Sequence, residues 1–355
     1  MSRGGTYASG LMSLRVAVLG ATGLVGRTIL RLLEERRFPA TEVVALASVR
    51  SAGERLPFSG GELLVAEATP SAFDGIDLVL SSAGAAVSRQ LLPEAGERGA
   101  VSVDNTSAFR MDEDVPLVVP EVNGHRLKDF SARRIIANPN CSTIQLVLAL
   151  QPLHRAFGVR RLHVATYQSV SGAGAKGVDD LHGELRAELG GSPYTRRHFP
   201  RPIAGNVLPE IDVFLEGGET KEEWKMRHET VKIMEAPIAV HATCVRVPVE
   251  RGHSEAVWLE TERPATPEEA REVLAAAPGV VVMDDPATRL YPTPKETAGT
   301  DPVYVGRIRR DLSRDHGLAL WIVSDNIRKG AALNALQIAE GLVAKALVGG
   351  ESKKQ

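Results

Sequence analysis

The stretch LRVAVLGATGLVGRTILRLLEERR, residues 14–37, constrains this chain more than any other. A short apolar, β-branched run ends in glycine and gives way at once to good helix formers, which specifies a strand, a tight turn and a helix. Gly20, Gly23 and Gly26 fall in that turn with G-x-x-G-x-x-G spacing. Missing side chains there let the backbone approach a pyrophosphate at a helix N-terminus, so GATGLVG, with Thr22, Leu24 and Val25, is a candidate dinucleotide site. A plain tight βα connection is the competing reading. Its place directly after the first strand favours the dinucleotide.

Further strands are expected at 42–48, 77–83 and 101–104, with a helical segment at 85–99 between the last two. Strands alternating with helices predict a parallel, doubly wound sheet. Beyond residue 141 the texture changes to long alternating strands at 161–170, 239–249 and 254–261, the pattern of a sheet with unlike faces. Residues 190–222, rich in Pro, Gly and Arg, read as extended loop, and 266–277 as a helix capped by Thr266. The tail returns to a strand, then to a helix with an apolar stripe suited to packing on the first domain.

At 355 residues the chain suits two domains, and two domains imply a cleft. The predicted organisation is α/β. A dinucleotide-binding domain spans 14–139, an α+β catalytic and dimer-forming domain with a mixed sheet spans 140–325, and a closing segment, 326–348, packs back on the first domain. Residues 1–13 read as a disordered extension. The balance of 42 basic against 44 acidic residues points to neither a nucleic-acid nor a membrane partner. No run approaches the roughly 20 apolar residues that span a bilayer, and a cytoplasmic protein is expected. Nine scattered histidines without H-E-x-x-H and two cysteines without C-x-x-C spacing predict no metal site and no disulfide framework.

After the second predicted strand the chain reads ASVRSAG, residues 47–53, and no carboxylate follows until Glu54. An NAD site usually offers an acidic residue there for the ribose 2′-hydroxyl, whereas Arg50 and Ser51 suit a 2′-phosphate. NADP is therefore the expected cofactor. A solvated loop arginine is the rival reading of Arg50.

Cys141, in NPNCST, falls where a helix should begin, with Asn140 or the cysteine itself near the cap. The dipole and unpaired N–H groups of such a helix favour a thiolate and could steady an oxyanion. Cys244, in ATCVRVPV, reads as a buried small residue, or as lining the cleft on the same strand face as Arg246. A thiol nucleophile beside a nicotinamide is a specific pairing: the thiol forms a thioester and hydride reduces it, or the reverse.

The ordered string GATGLVG, DNTSAFRMD, NPNCST, YQSVSGAG, EEWK, RVPVERGH and SDNIRKGAA resembles the aspartate-semialdehyde dehydrogenase family over nearly the whole chain. That family reduces 4-phospho-aspartate in lysine, threonine and methionine biosynthesis. The resemblance implies a Rossmann-like first domain, a homodimer and a set of roles. Cys141 would be the nucleophile, His253 the acid/base and Gln168 the residue that orients substrate. Arg246 would hold the α-carboxylate, Arg110 and Lys225 the phosphate, and Glu222 the amino group, with Asn140 also among the substrate-binding residues. Ser171, Gly172 and Asn326 would lie at the nicotinamide end.

These roles suit the chemistry: two cations for a leaving phosphate, a guanidinium for a carboxylate, and an imidazole to accept the thiol proton. N-acetyl-γ-glutamyl-phosphate reductases usually carry Gly before and an aromatic after their cysteine, where this chain has Asn140 and Ser142. Reduction of a coenzyme A thioester is disfavoured by the candidate phosphate ligands alone. A silent dinucleotide-binding relative would be expected to lack the nucleophile or the base, and this chain has both.

Overall fold

In a computed structural model that describes residues 14–348, the run RVAVL forms β1 (Arg15–Leu19) and LVGRTILRLLEE forms α1 (Leu24–Glu35). The chain divides into two units, one running to Pro139 and resuming at Ala331, the other Asn140–Gly330. Residues 1–13, read above as a disordered extension, lie outside the described residues.

The first unit adds β2 (Glu42–Ala47), β3 (Arg55–Phe58), β4 (Gly61–Glu67), β5 (Leu78–Ser81), β6 (Val101–Asp104) and β7 (Ile135–Ala137), with α2 (Ala85–Glu97) and the single turn α3 (Pro120–Asn123). The seven strands run in the order β3-β4-β2-β1-β5-β6-β7, parallel throughout except for the β3–β4 hairpin. Because the central strand β1 is buried on both faces, it shows no alternation and reads as a continuous apolar run.

The hairpin, absent from the sequence expectation, is closed by Ser59 and Gly60, both at positive φ (50° and 74°), as a two-residue hairpin turn that follows the sheet twist requires. Strand β7 was likewise not anticipated.

The second unit holds α4 (Cys141–Phe157), β8 (Val159–Gln168), α5 (Ala175–Glu188), α6 (Lys221–Met234), β9 (Ala239–Arg246), β10 (His253–Thr261), α7 (Pro267–Ala275), β11 (Val280–Val282), α8 (Pro294–Thr297), β12 (Val303–Arg310) and β13 (Gly317–Ser324). Its sheet, ordered β11-β12-β13-β10-β8-β9, is mixed: β8 with β9 and β11 with β12 are parallel, the other pairs antiparallel.

Helix α4 lies on one face of that sheet and contacts β8, β10, β12 and β13. Every residue from Ser142 to Leu150 is buried, so TIQLVLAL lacks the polar stripe of a surface helix. The opposite face stays open, with Tyr167 and Trp258 each 39% exposed and the Tyr167 and Trp321 rings 5.4 Å apart. Thr266 caps α7, as the sequence indicated, and Glu269 returns a bond to the Thr266 N–H.

Helix α9 (Leu333–Ala344) belongs to the first unit, where Leu333, Leu336, Ile338 and Leu342 join the core of β1, β5 and α1. Arg36 anchors it by a two-pronged pair to Glu340, at 2.7 and 2.8 Å.

Candidate active site

The second unit gathers most of the predicted chemical residues around the start of α4. Asn140 is the N-cap: its Oδ1 accepts the N–H groups of Ser142 and Thr143 at 3.0 and 3.3 Å, and its carbonyl takes the N–H of Ile144 at 2.9 Å. Those first-turn donors, expected to steady an oxyanion, are therefore spent on the cap, and that expectation is corrected for them. Cys141 remains at the first helical position, where the dipole favours a thiolate.

Two carboxylates of α6 fix the turn before the nucleophile. Glu229 Oε2 accepts the Asn140 backbone N–H at 2.7 Å, and Glu222 Oε1 accepts Asn140 Nδ2 at 2.8 Å and Gln168 Nε2 at 3.0 Å. Thr166 Oγ1 holds the other end of Gln168, donating to Oε1 at 2.9 Å. Lys225 Nζ bonds Glu222 Oε2 at 3.1 Å and Asp212 Oδ2 at 2.7 Å. Burial alone would push Glu222 up, but the Lys225 charge and the hydrogen bonds from Gln168 and Asn140 outweigh it and bring its carboxyl down to about 2.

His253 opens β10, fully buried, with Nε2 3.1 Å from Cys141 Sγ. Its Nδ1 receives the backbone N–H of Ser169 at 3.0 Å and lies 3.1 Å from the Ser169 hydroxyl. Burial first, then the nearby Arg246 cation, lower the imidazole to about 3, so the ring is neutral at physiological pH. Arg246, at the end of β9 and 5% exposed, donates from Nη1 to the Ser169 carbonyl at 2.7 Å, while its Nε is buried without a protein acceptor.

Gly172 keeps the space beside these groups open: a Cβ there would lie 2.8 Å from Arg246 Nη1 and 3.3 Å from His253 Nε2. Two residues beyond β13, Asn326 Oδ1 accepts the Gly252 N–H at 2.9 Å, and Asn326 Nδ2 donates to Ser171 Oγ at 3.1 Å.

Cys244 is fully buried, its N–H bonds Glu223 Oε1 at 2.9 Å, and burial pushes its thiol up. Of its two readings the core one holds.

The remaining predicted residues belong to the first unit. Arg110 is 7% exposed and donates to the carbonyls of Asn138 and Asn105 at 2.9 and 2.8 Å. Gly20 has φ +83°, and a Cβ on Gly26 would fall 2.2 Å from the Gly20 carbonyl, so the turn requires glycine at both. Helix α1 has no side-chain cap on Gly23 and no acidic residue in its first turn, which suits the pyrophosphate of a dinucleotide. Arg50 is exposed and Ser51 half-buried on a 3-10 turn, Val49–Ser51, after β2. Glu54, the first carboxylate beyond, faces Arg27 at 3.7 Å.

Sequence reasoning missed Ser169, Glu229 and Gly330. Ser169 adjoins Gln168, so its motif was seen but not its amide. Glu229 follows Glu222 by seven residues, two helical turns, and that spacing was a usable signal. Gly330 sits where a Cβ would come 2.9 Å from that of Cys141.

Two family models match the chain: "Semialdehyde dehydrogenase, NAD binding domain" over residues 15–130 and "Semialdehyde dehydrogenase, dimerisation domain" over 150–329. An aspartate-semialdehyde dehydrogenase of Aquifex aeolicus is 54% identical, covering 95% of this chain and all of that protein. Among solved structures, Vibrio cholerae aspartate semialdehyde dehydrogenase II complexed with ASA superposes with a TM-score of 0.91 at 47% identity, over 94% of this chain and 98% of its own. The Candida albicans enzyme with NADP gives a TM-score of 0.71 at 29% identity, over 94% and 99%. The chain belongs to the aspartate-semialdehyde dehydrogenase family of oxidoreductases.

Proposed function

We propose that this protein reduces 4-phospho-L-aspartate to L-aspartate 4-semialdehyde with NADPH, through a thioester on Cys141. The observation that carries the reading is the 3.1 Å approach of His253 Nε2 to Cys141 Sγ at the N-terminus of a buried helix. The sulfur attacks the acyl carbon, a C–S bond forms, and the C–O bond to phosphate breaks with its electron pair leaving on phosphate. Bound NADPH would supply a hydride to the thioester carbon. Collapse then returns the thiolate and frees the aldehyde.

The substrate is anionic at both ends, and the roles follow its charges. Arg246, whose buried Nε lacks a protein acceptor, grips the α-carboxylate; Arg110 and Lys225 take the phosphate. Glu222, ionised at neutral pH, faces the amino group, and Gln168 orients the acyl carbon. The pyrophosphate of the cofactor rests on Gly20, Thr22, Gly23, Leu24, Val25 and Gly26, with Ser171, Gly172 and Asn326 at the nicotinamide end. Arg50 and Ser51 hold a 2′-phosphate, which makes NADP the preferred cofactor; the Candida albicans relative solved with NADP supports this.

The open aromatic face of the second unit, within the part matched by the dimerisation model, is the surface for a homodimer. No helix among the described residues is long and apolar enough to cross a membrane. We place the activity in the cytoplasm, where a nucleophilic thiol stays reduced.

The test is phosphate-dependent reduction of NADP with L-aspartate semialdehyde, the N-acetylglutamate semialdehyde and, with coenzyme A replacing phosphate, each aldehyde again. The first is expected to turn over at least about 100-fold faster, since unpaired buried charges discriminate strongly. Preference for the acetylated aldehyde, a coenzyme A requirement, or NADPH binding without turnover would each overturn the reading.

A further inference from the structure

Behind the pair formed by Cys141 and His253, the second unit buries a carboxyl group that no step of the reaction uses. Glu255 follows His253 by two residues on β10 and shares its face of the sheet, and Gln145 follows Cys141 by one turn of α4. Glu255, Gln145 and Ser324 are each fully buried. Ser324 lies opposite His253 in the β10–β13 register, and its hydroxyl donates to Gln145 Oε1 at 2.8 Å. A polar layer thus joins α4, β10 and β13 one step behind the reacting groups.

The carboxyl is short of partners. Among the described residues neither Glu255 oxygen has a hydrogen-bond partner, and Gln145 Nε2 has none either. In register, Glu255 stands between Thr166 of β8 and Ile322 of β13. The Thr166 hydroxyl is given to Gln168 and Ile322 is apolar, so neither supplies a donor. From β9 the carboxyl meets Cys244, whose thiol is itself pushed up by burial. Gln145 approaches from α4 without completing a hydrogen bond.

Burial pushes the carboxyl up, and no cation among the described residues draws it back. An ionised carboxylate this deep would need a positive charge or several donors. A protonated one needs less. It carries one O–H and one free carbonyl, and a carboxamide offers the matching N–H and oxygen. Gln145 Oε1 keeps a second lone pair beyond the one Ser324 uses, so the two buried groups can satisfy each other in a single ring.

We propose that the Glu255 carboxyl and the Gln145 carboxamide close as an acid–amide pair, and that this pair, pinned by Ser324, sets the spacing between Cys141 and His253. Glu255 and Gln145 are positioning residues: they act on the reaction through α4 and β10 and touch no reacting atom. The proposal deepens the thioester reading above, in which a small displacement of the sulfur costs rate.

Infrared difference spectra at neutral pH test the pair without substrate. Wild type minus Glu255→Gln should show the C=O stretch of a protonated carboxylic acid. A carboxylate band in its place would overturn the proposal.

Rates test the positioning. Glu255→Gln supplies an amide that can close the same ring, and both kcat and the rate at which iodoacetamide alkylates Cys141 should stay within about 2-fold of wild type. Glu255→Met and Gln145→Met open the ring from opposite sides, and each should lower both rates about 10-fold with KM unchanged. Either alone carries the test if the other does not fold. The double Met variant should be no slower than the single ones, because both remove one interaction. Losses that multiply to about 100-fold, a Gln variant as slow as the Met variants, or Met variants as fast as wild type would each overturn the proposal. The alkylation and infrared measurements contain no substrate, so their outcome is separate from the choice of acyl phosphate.

Discussion

Glu229 Oε2 lies 2.7 Å from the backbone nitrogen of Asn140, the residue before the nucleophile, and the carboxylate is fully buried. The bond crosses 89 residues of sequence and ties α6 to the first turn of α4. A charge-assisted bond of this kind contributes about 1.5–3 kcal/mol.

Glu229→Gln keeps the shape but weakens the acceptor. We predict that kcat falls about 10-fold with KM nearly unchanged, because displacing a reacting group by a fraction of an ångström costs rate rather than binding. Steady-state kinetics with a parallel melting curve checks this. An equal rise in KM would mean that the residue acts on substrate instead.

Acid lability follows from two buried groups. Glu222 is held at about 2, below its ordinary value of 4.5, so its contribution to stability is present above pH 4.5 and is lost as pH falls toward 2. His253, lowered from 6.5 to about 3, adds stability that is complete above pH 6.5 and declines as pH falls toward 3, because the unfolded ring binds a proton that the folded ring refuses. For Glu222 the shift corresponds to a contribution on the order of 3 kcal/mol. Glu222→Gln should flatten the dependence of Tm on pH below pH 4.5, and His253→Gln should flatten it between pH 6.5 and 3. Parallel curves for variant and parent would refute the assignment.

Arg50→Ala should raise KM for NADPH about 10-fold to 100-fold while leaving that for NADH within about 2-fold, since a charge-assisted bond to phosphate is removed and nothing else. Equal effects on both cofactors would place Arg50 outside the 2′-phosphate site.

What the sequence made legible was local. Strand β1, the glycine turn and α1 are adjacent in the chain, and Gly20 and Gly26 each answer to a backbone requirement of that turn. Asn140 and Cys141 read correctly as a helix start for the same reason. The β3–β4 hairpin carried a Ser-Gly turn signal, but its strands are short and β4 is mostly exposed, so no apolar run drew attention to them.

Helix α5 escaped because two glycines lower its propensity. They sit where a Cβ would strike the Val170 carbonyl at 2.5 Å and the Tyr194 ring at 2.3 Å. The hydrogen bonds around His253 were beyond sequence, because they depend on a backbone amide and on partners 74 and 84 residues apart.

The central claim is tested most directly by mixing the enzyme with L-aspartate semialdehyde and NADP in the absence of phosphate, then digesting it for mass spectrometry. The account predicts a burst of one NADPH per active site, an aspartyl group in thioester linkage on the Cys141 peptide, and its discharge when phosphate is added. No burst, or an acyl group on any other residue, would contradict it.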